Sequence, residues 1–176
     1  SVNALLAIDV GGNLVFTRKI WVLLLAVVVV ALSLFGAGRV AAEPQLPRIA
    51  LASDNVGTLG DHDYCRGAFN VSLVAPKGKR GVVRVTLTSF GFTGNGSGWK
   101  RNPSCRFLAY LSFAGTSNLD GEVFVPVSFG PRRGERIVRD LHTGAGPAMV
   151  AVGTVAINNP IRVQQGYVSR FFTQVP

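Results

Sequence analysis

From residue 68 to the C-terminus, apolar side chains recur at every second position, a period that admits β-strands and little else. In 82–92, Val83, Val85 and Leu87 fall on one face and Arg84, Thr86 and Thr88 on the other. Residues 106–113 place Phe107, Ala109, Leu111 and Phe113 on one side. Residues 122–129 set Val123, Val125, Val127 and Phe129 against Glu122, Phe124, Pro126 and Ser128. With 68–74, 136–141, 148–157 and 166–175 the pattern predicts about seven strands. Turn-forming clusters separate them: Pro76-Lys77-Gly78, the glycine-rich stretches at 94–98, 115–121, 130–134 and 144–147, and Asn158-Asn159-Pro160. Even spacing without an amphipathic helix predicts an all-β fold, an antiparallel Ig-like β-sandwich or small barrel. Pro126, on the outer face of its strand, suits an edge or a bulge.

The N-terminal part obeys a different rule. Arg18-Lys19 precede residues 20–35, sixteen residues interrupted only by Ser33, and Gly36-Ala37-Gly38-Arg39-Val40-Ala41-Ala42 follows. Basic flank, apolar stretch and a Val-x-Ala site predict an N-terminal hydrophobic export helix, cleaved after Ala42. Sixteen helical residues span about 24 Å, short of the roughly 30 Å hydrocarbon core. Counting through Gly38 nearly closes the gap, so the alternative is an uncleaved anchor that holds residues 20–38 in the cytoplasmic membrane. The length of 1–16 favours the anchor slightly. Four consecutive valines and three consecutive leucines leave no polar face, which argues against a helix of the domain core. The expected organisation is a signal peptide or anchor over 1–42, an extended linker over 43–59 containing Pro44, Pro47 and Gly57, and a domain over 60–176. The domain is expected to be secreted or extracytoplasmic.

Only two cysteines occur, Cys65 and Cys105, both in the exported part. An even count in an oxidising compartment predicts one disulfide, joining the loop before one strand to the start of a later one. Removing residues 1–42 takes away Arg18, Lys19, Arg39 and Asp9, and the remainder holds 15 basic and 8 acidic residues, a charge of +7. Lysine is confined there to Lys77, Lys79 and Lys100. Arginine favours bidentate contact with phosphate or carboxylate, although a GC-rich genome gives the same bias with no functional cause.

Four groups of residues bear on chemistry. Basic turns carry Lys79 and Arg80, Lys100 and Arg101, and Arg132 and Arg133; beside them stands Trp99, which either anchors a ligand or packs on the sheet. Such turns suit anionic lipid or an acidic cell-wall polymer, or simply keep the domain soluble; nucleic acid is not expected outside the cell. The stretch 91–99, rich in glycine, reads as a flexible loop without the strand–loop–helix context of a phosphate loop. Asp61, His62 and Asp63 resemble metal ligands, but so few carboxylates lie near them that a polar turn capping backbone amides is the expected role. No cofactor is expected. Asp140 and His142 share a strand face and are the one acid–base pair, with no nucleophile elbow to serve.

The run Asp61-His62-Asp63-Tyr64-Cys65-Arg66-Gly67, the strand from Gly81 through Thr88, the Trp99-x-x-Asn102-Pro103-x-Cys105 spacing and the segment Pro126-Val127-Ser128-Phe129-Gly130 resemble small secreted β-rich proteins of mycolic-acid-containing actinobacteria. The resemblance spans about residues 59–176 and implies a disulfide-linked extracytoplasmic β domain. Some members are labelled enoyl-CoA hydratases. This chain lacks the length, the helical layers and the paired glutamates of that enzyme, so no activity carries over. The expected function is an exported, non-catalytic, envelope-associated binding or structural module. The alternative is an exported enzyme acting on lipid or acyl substrates through His142 and Asp140.

Overall fold

The structure, a computed structural model, describes residues 42–176. The export segment at 20–38 lies outside the described residues. Nine strands form among the described residues: β1 (Arg48–Leu51), β2 (Asn55–Leu59), β3 (Arg66–Val74), β4 (Val82–Thr93), β5 (Cys105–Ala114), β6 (Gly121–Phe129), β7 (Arg136–His142), β8 (Gly146–Val155) and β9 (Ser169–Val175). One short helix, α1 (Gly96–Arg101), joins β4 to β5. Every strand pairing is antiparallel. One sheet has the order β1-β9-β8-β5-β6, the other β2-β3-β4-β7, so the described residues form a two-sheet β-sandwich. β4 and β7 are neighbours in one sheet, and β5 and β8, the strands that follow them, are neighbours in the other.

The alternating residues meet between the sheets. In β5 the burial alternates without a break, with Phe107 and Ala109 fully buried and Leu111 nearly so. Four phenylalanines fill one part of the core: Phe107 lies 5.9 Å from Phe69 and 5.8 Å from Phe92, ring centre to ring centre, and Phe129 lies 5.6 Å from Phe92. Phe171 is fully buried as well. Burying each such ring contributes about 2–3 kcal/mol of transfer free energy. Pro126 stands in β6, the outermost strand of its sheet, the position in a sheet that best tolerates a residue without an N–H.

Two expectations differ from the structure. The segment 43–59 is no linker: β1 pairs with β9 and β2 with β3, and Leu46 is buried with its N–H bonded to Leu73 O at 3.0 Å. Both strands are short and outermost in their sheets, so neither shows a long alternating run. The glycine-rich loop at 91–99 is also partly regular, since β4 continues to Thr93 and residues 96–101 form α1. The Asn95 N–H donates to Asp63 O at 2.8 Å and Trp99 packs over Gly94, and together these hold the turn.

Candidate anion-binding site

β3 and β5 begin, and β4 and β6 end, at one end of the sandwich, and three connections meet there: 60–65, 94–104 and 130–135. Their centre is the Cys65–Cys105 disulfide, both residues fully buried, with the bond placed where the sequence predicts it. Asp61 covers it. The Asp61 side chain is only 3% exposed. It accepts the Arg106 amide at 3.0 Å, Arg106 Nε at 2.8 Å and His62 Nδ1 at 2.9 Å. His62 Nε2 faces Asn102 O at 3.2 Å. Both ring nitrogens meet oxygen acceptors, so the imidazolium, with a proton on each, satisfies the pair. The Asp61 bond raises the His62 pKa against the cost of burial. Burial pushes the Asp61 carboxyl up, but the His62 and Arg106 hydrogen bonds outweigh it and leave it below its ordinary value.

These contacts consume the metal-ligating capacity of the cluster. Donor atoms of Asp61, His62 and Cys65 lie within 4.8 Å of one another. The Cys65 sulfur is already in the disulfide, and the Asp61 oxygens and His62 nitrogens are hydrogen-bonded. Asp63 turns towards α1, where a Cβ on Gly98 would lie 2.8 Å from its Cγ. The amide-capping role expected of this turn is the one Asp61 performs for Arg106.

Around this strut lies a rim of cationic side chains. Lys100 and Arg101 end α1, Arg132 and Arg133 occupy the 130–135 turn, and Arg136 opens β7; all five are exposed. Among the described residues none of them forms an ion pair. Five of the eight carboxylates in 43–176 are paired with other cations, Asp54 with Arg48, Asp61 with Arg106, Glu122 with Arg162, and Glu43 and Asp140 with Arg84, while Glu135 stands within the turn itself. The turn is rigidly held. Gly130 N donates to Glu135 Oε2 at 2.7 Å, Ser89 N to Glu135 O at 2.9 Å and Gly134 N to Ser89 O at 2.8 Å. A Cβ on Gly130 would lie 3.3 Å from Pro103 O, so the turn and the segment after α1 are in contact. Between them opens a cleft of about 690 Å³, lined by Pro103, Ser104, Ser128, Arg132, Arg136 and Ile137 among others.

The other candidates are dispersed. Lys79 and Arg80 lie in the β3–β4 turn, at the opposite end from the other two basic turns, so the three do not form one patch. Lys79 is also bonded to Asp140 at 2.8 Å. Asp140 is held by Arg84 at 2.7 Å, a contact that with Lys79 drives its carboxyl down to about 2. Arg84 is raised in turn by Asp140. His142 is exposed at the end of β7 and lines neither cavity found among the described residues. The pair therefore has neither a shared proton nor a cleft to act in. Trp99 is half-buried against the core, 6.1 Å from His62, so it packs on the sheet.

Sequence reasoning misses Tyr64, the exposed aromatic of this end at 83%. It follows Asp63 in a turn where both have left-handed backbones, φ +48° and +52°. Asp tolerates that conformation but Tyr rarely adopts it, and no local pattern announces it. Ser104 and Ser128 are missed too, because only the β5–β6 pairing sets their hydroxyls 2.5 Å apart. A second cavity, of about 310 Å³, lies on the outer face of the five-stranded sheet, where Arg162 covers the Phe124 ring at 3.5 Å. No protein-family model, curated protein or solved structure matches the chain.

Proposed function

We propose that this chain is an exported, non-catalytic, envelope-associated module that binds anionic material, lipid headgroup or cell-wall polymer, through the disulfide-bearing end of its sandwich. The observation that carries the reading is the grouping of five unpaired cations, Lys100, Arg101, Arg132, Arg133 and Arg136, around an open cleft at one end, whereas five of the domain's other ten, Arg48, Lys79, Arg84, Arg106 and Arg162, are paired with carboxylates. Unpaired guanidinium groups on a rigid turn bind anions without first breaking a salt bridge, and forked donors suit phosphate and carboxylate. The apolar segment at 20–35 behind Arg18-Lys19 supports export, and so does the disulfide. The strand order favours an Ig-like reading, with β3, β4 and β7 in one sheet facing β9, β8, β5 and β6 in the other. The likeness of its motifs to small secreted proteins of mycolic-acid-containing actinobacteria supports an envelope setting. An exported lipid- or acyl-processing enzyme is not favoured, because Asp140 is bound to Arg84 and Lys79 and His142 faces solvent.

The test is charge reversal at each end. The K100E/R101E/R132E/R133E variant should lose about tenfold or more of its affinity for anionic vesicles or purified wall material, and the salt dependence of binding should flatten. K77E/R80E, at the other end, should bind within about twofold of the parent. Equal losses from the two variants would remove the assignment to one end.

A further inference from the structure

We infer that the cleft between Pro103-Ser104 and the 130–136 turn is a subsite for a phosphodiester group. This rests on the reading of the cationic end and names the chemistry it selects. Arg132 and Arg136 both line the cleft, and neither is engaged by a carboxylate. Ser104 Oγ and Ser128 Oγ lie 2.5 Å apart, so one hydroxyl hydrogen is shared between them and the other is free to reach an acceptor in the cleft. The donor set is therefore two guanidinium forks and one hydroxyl, arranged around a gap.

A carboxylate holds its two oxygens in one plane, so donors that approach from both walls of the cleft, Ser104 on one and Arg132 and Arg136 on the other, converge on it less well. A tetrahedral phosphate with two unesterified oxygens and two ester oxygens uses all three. The charge balance selects further. Glu135 also lines the cleft and stays fixed there, with Oε2 accepting the Gly130 amide at 2.7 Å. Two arginines and one glutamate leave a single positive charge, which matches a singly charged phosphodiester better than a doubly charged monoester. Apolar walls from Pro103, Pro131 and Ile137 suit the carbon chains on either side of such a group. Phosphodiesters occur in phospholipid headgroups and in polyol-phosphate polymers, and the cleft recognises what the two share.

The experiment measures binding of the full chain to poly(glycerol phosphate) and to polygalacturonate, a polycarboxylate, and to phosphatidylglycerol and phosphatidylcholine vesicles. Two cleft variants, S104A/S128A and R136Q, are compared with K100E/R101E outside the cleft. Arg136 is exposed, so R136Q keeps the test intact if the serine pair disturbs folding. Both cleft variants should weaken poly(glycerol phosphate) binding about tenfold and change polygalacturonate binding by less than about twofold. K100E/R101E should weaken both polymers. A cleft-dependent loss on phosphatidylglycerol vesicles identifies the lipid source, and a loss on the polymer alone identifies the wall source; either supports the subsite. If the cleft variants weaken both polymers equally, phosphodiester selection is overturned while the cationic end stands. If none of the variants changes binding to any probe, the reading beneath it fails as well.

Discussion

Arg106 grips Asp61 twice, through its backbone amide at 3.0 Å and its Nε at 2.8 Å. Arg106 follows Cys105 directly and Asp61 lies four residues before Cys65, so the carboxylate ties together the two chain segments that the disulfide joins. At 3% exposure, removing it strands a backbone donor and a guanidinium beside a buried bond. Asp61→Ala should therefore cost about 2–3 kcal/mol, read from the denaturant midpoint with the disulfide intact. An unchanged midpoint would show that the strut bears no strain.

His62 makes that strut sensitive to pH in a defined direction. Its pKa is raised by Asp61, so the stabilisation is complete below the unfolded value of about 6.5 and is lost as pH rises through the higher folded value. Parent stability should fall as pH rises above about 6.5, and His62→Gln should flatten that slope. Chemical denaturation at several pH values decides it.

Asp140 behaves oppositely. Arg84 above all, with Lys79, holds its carboxyl at about 2, so its contribution is present above the unfolded value of about 3.9 and is lost as pH falls towards 2. Asp140→Asn should lower stability at neutral pH by about 1 kcal/mol, since the group is partly exposed, and should shallow the acid limb between pH 4 and 2. A variant with the parent's acid limb would assign that limb to other carboxylates.

Gly60 sits against the disulfide, where a Cβ would come within 2.5 Å of the Cys65 sulfur. Gly60→Ala must displace the bond or the loop that covers it. Losing the bond altogether removes about 4 kcal/mol on the loop-entropy account for a 40-residue separation. Gly60→Ala should fall between the parent and Cys65→Ser/Cys105→Ser in thermal stability. Thiol titration of the alanine variant shows whether the bond still forms.

The core strands were legible because a half-buried sheet writes itself into sequence: β4, β5 and β6 match the alternation to within a residue or two. β1 and β2 were not. Arg48-Ile49-Ala50-Leu51 is exposed at three of its four positions and stays a strand only because β9 lies alongside it. The disulfide was legible from a count of two, whereas Asp61's bond to Arg106 spans 45 positions and has no local signature. The basic turns were visible individually. Which of them share an end depends on the order in which the strands cross between sheets, and no short window of sequence contains that order. Trp99 packs on the core while Tyr64 stands exposed for the same reason: exposure is a property of the assembled end.

The central claim is that one end of the sandwich does the binding, and amide chemical-shift mapping tests it most directly. Titrating poly(glycerol phosphate) into isotopically labelled protein should move the resonances of 98–104 and 128–136 and leave those of 76–81 and 143–146 in place. Shifts concentrated at the 76–81 turn, or spread evenly over both ends, would contradict it.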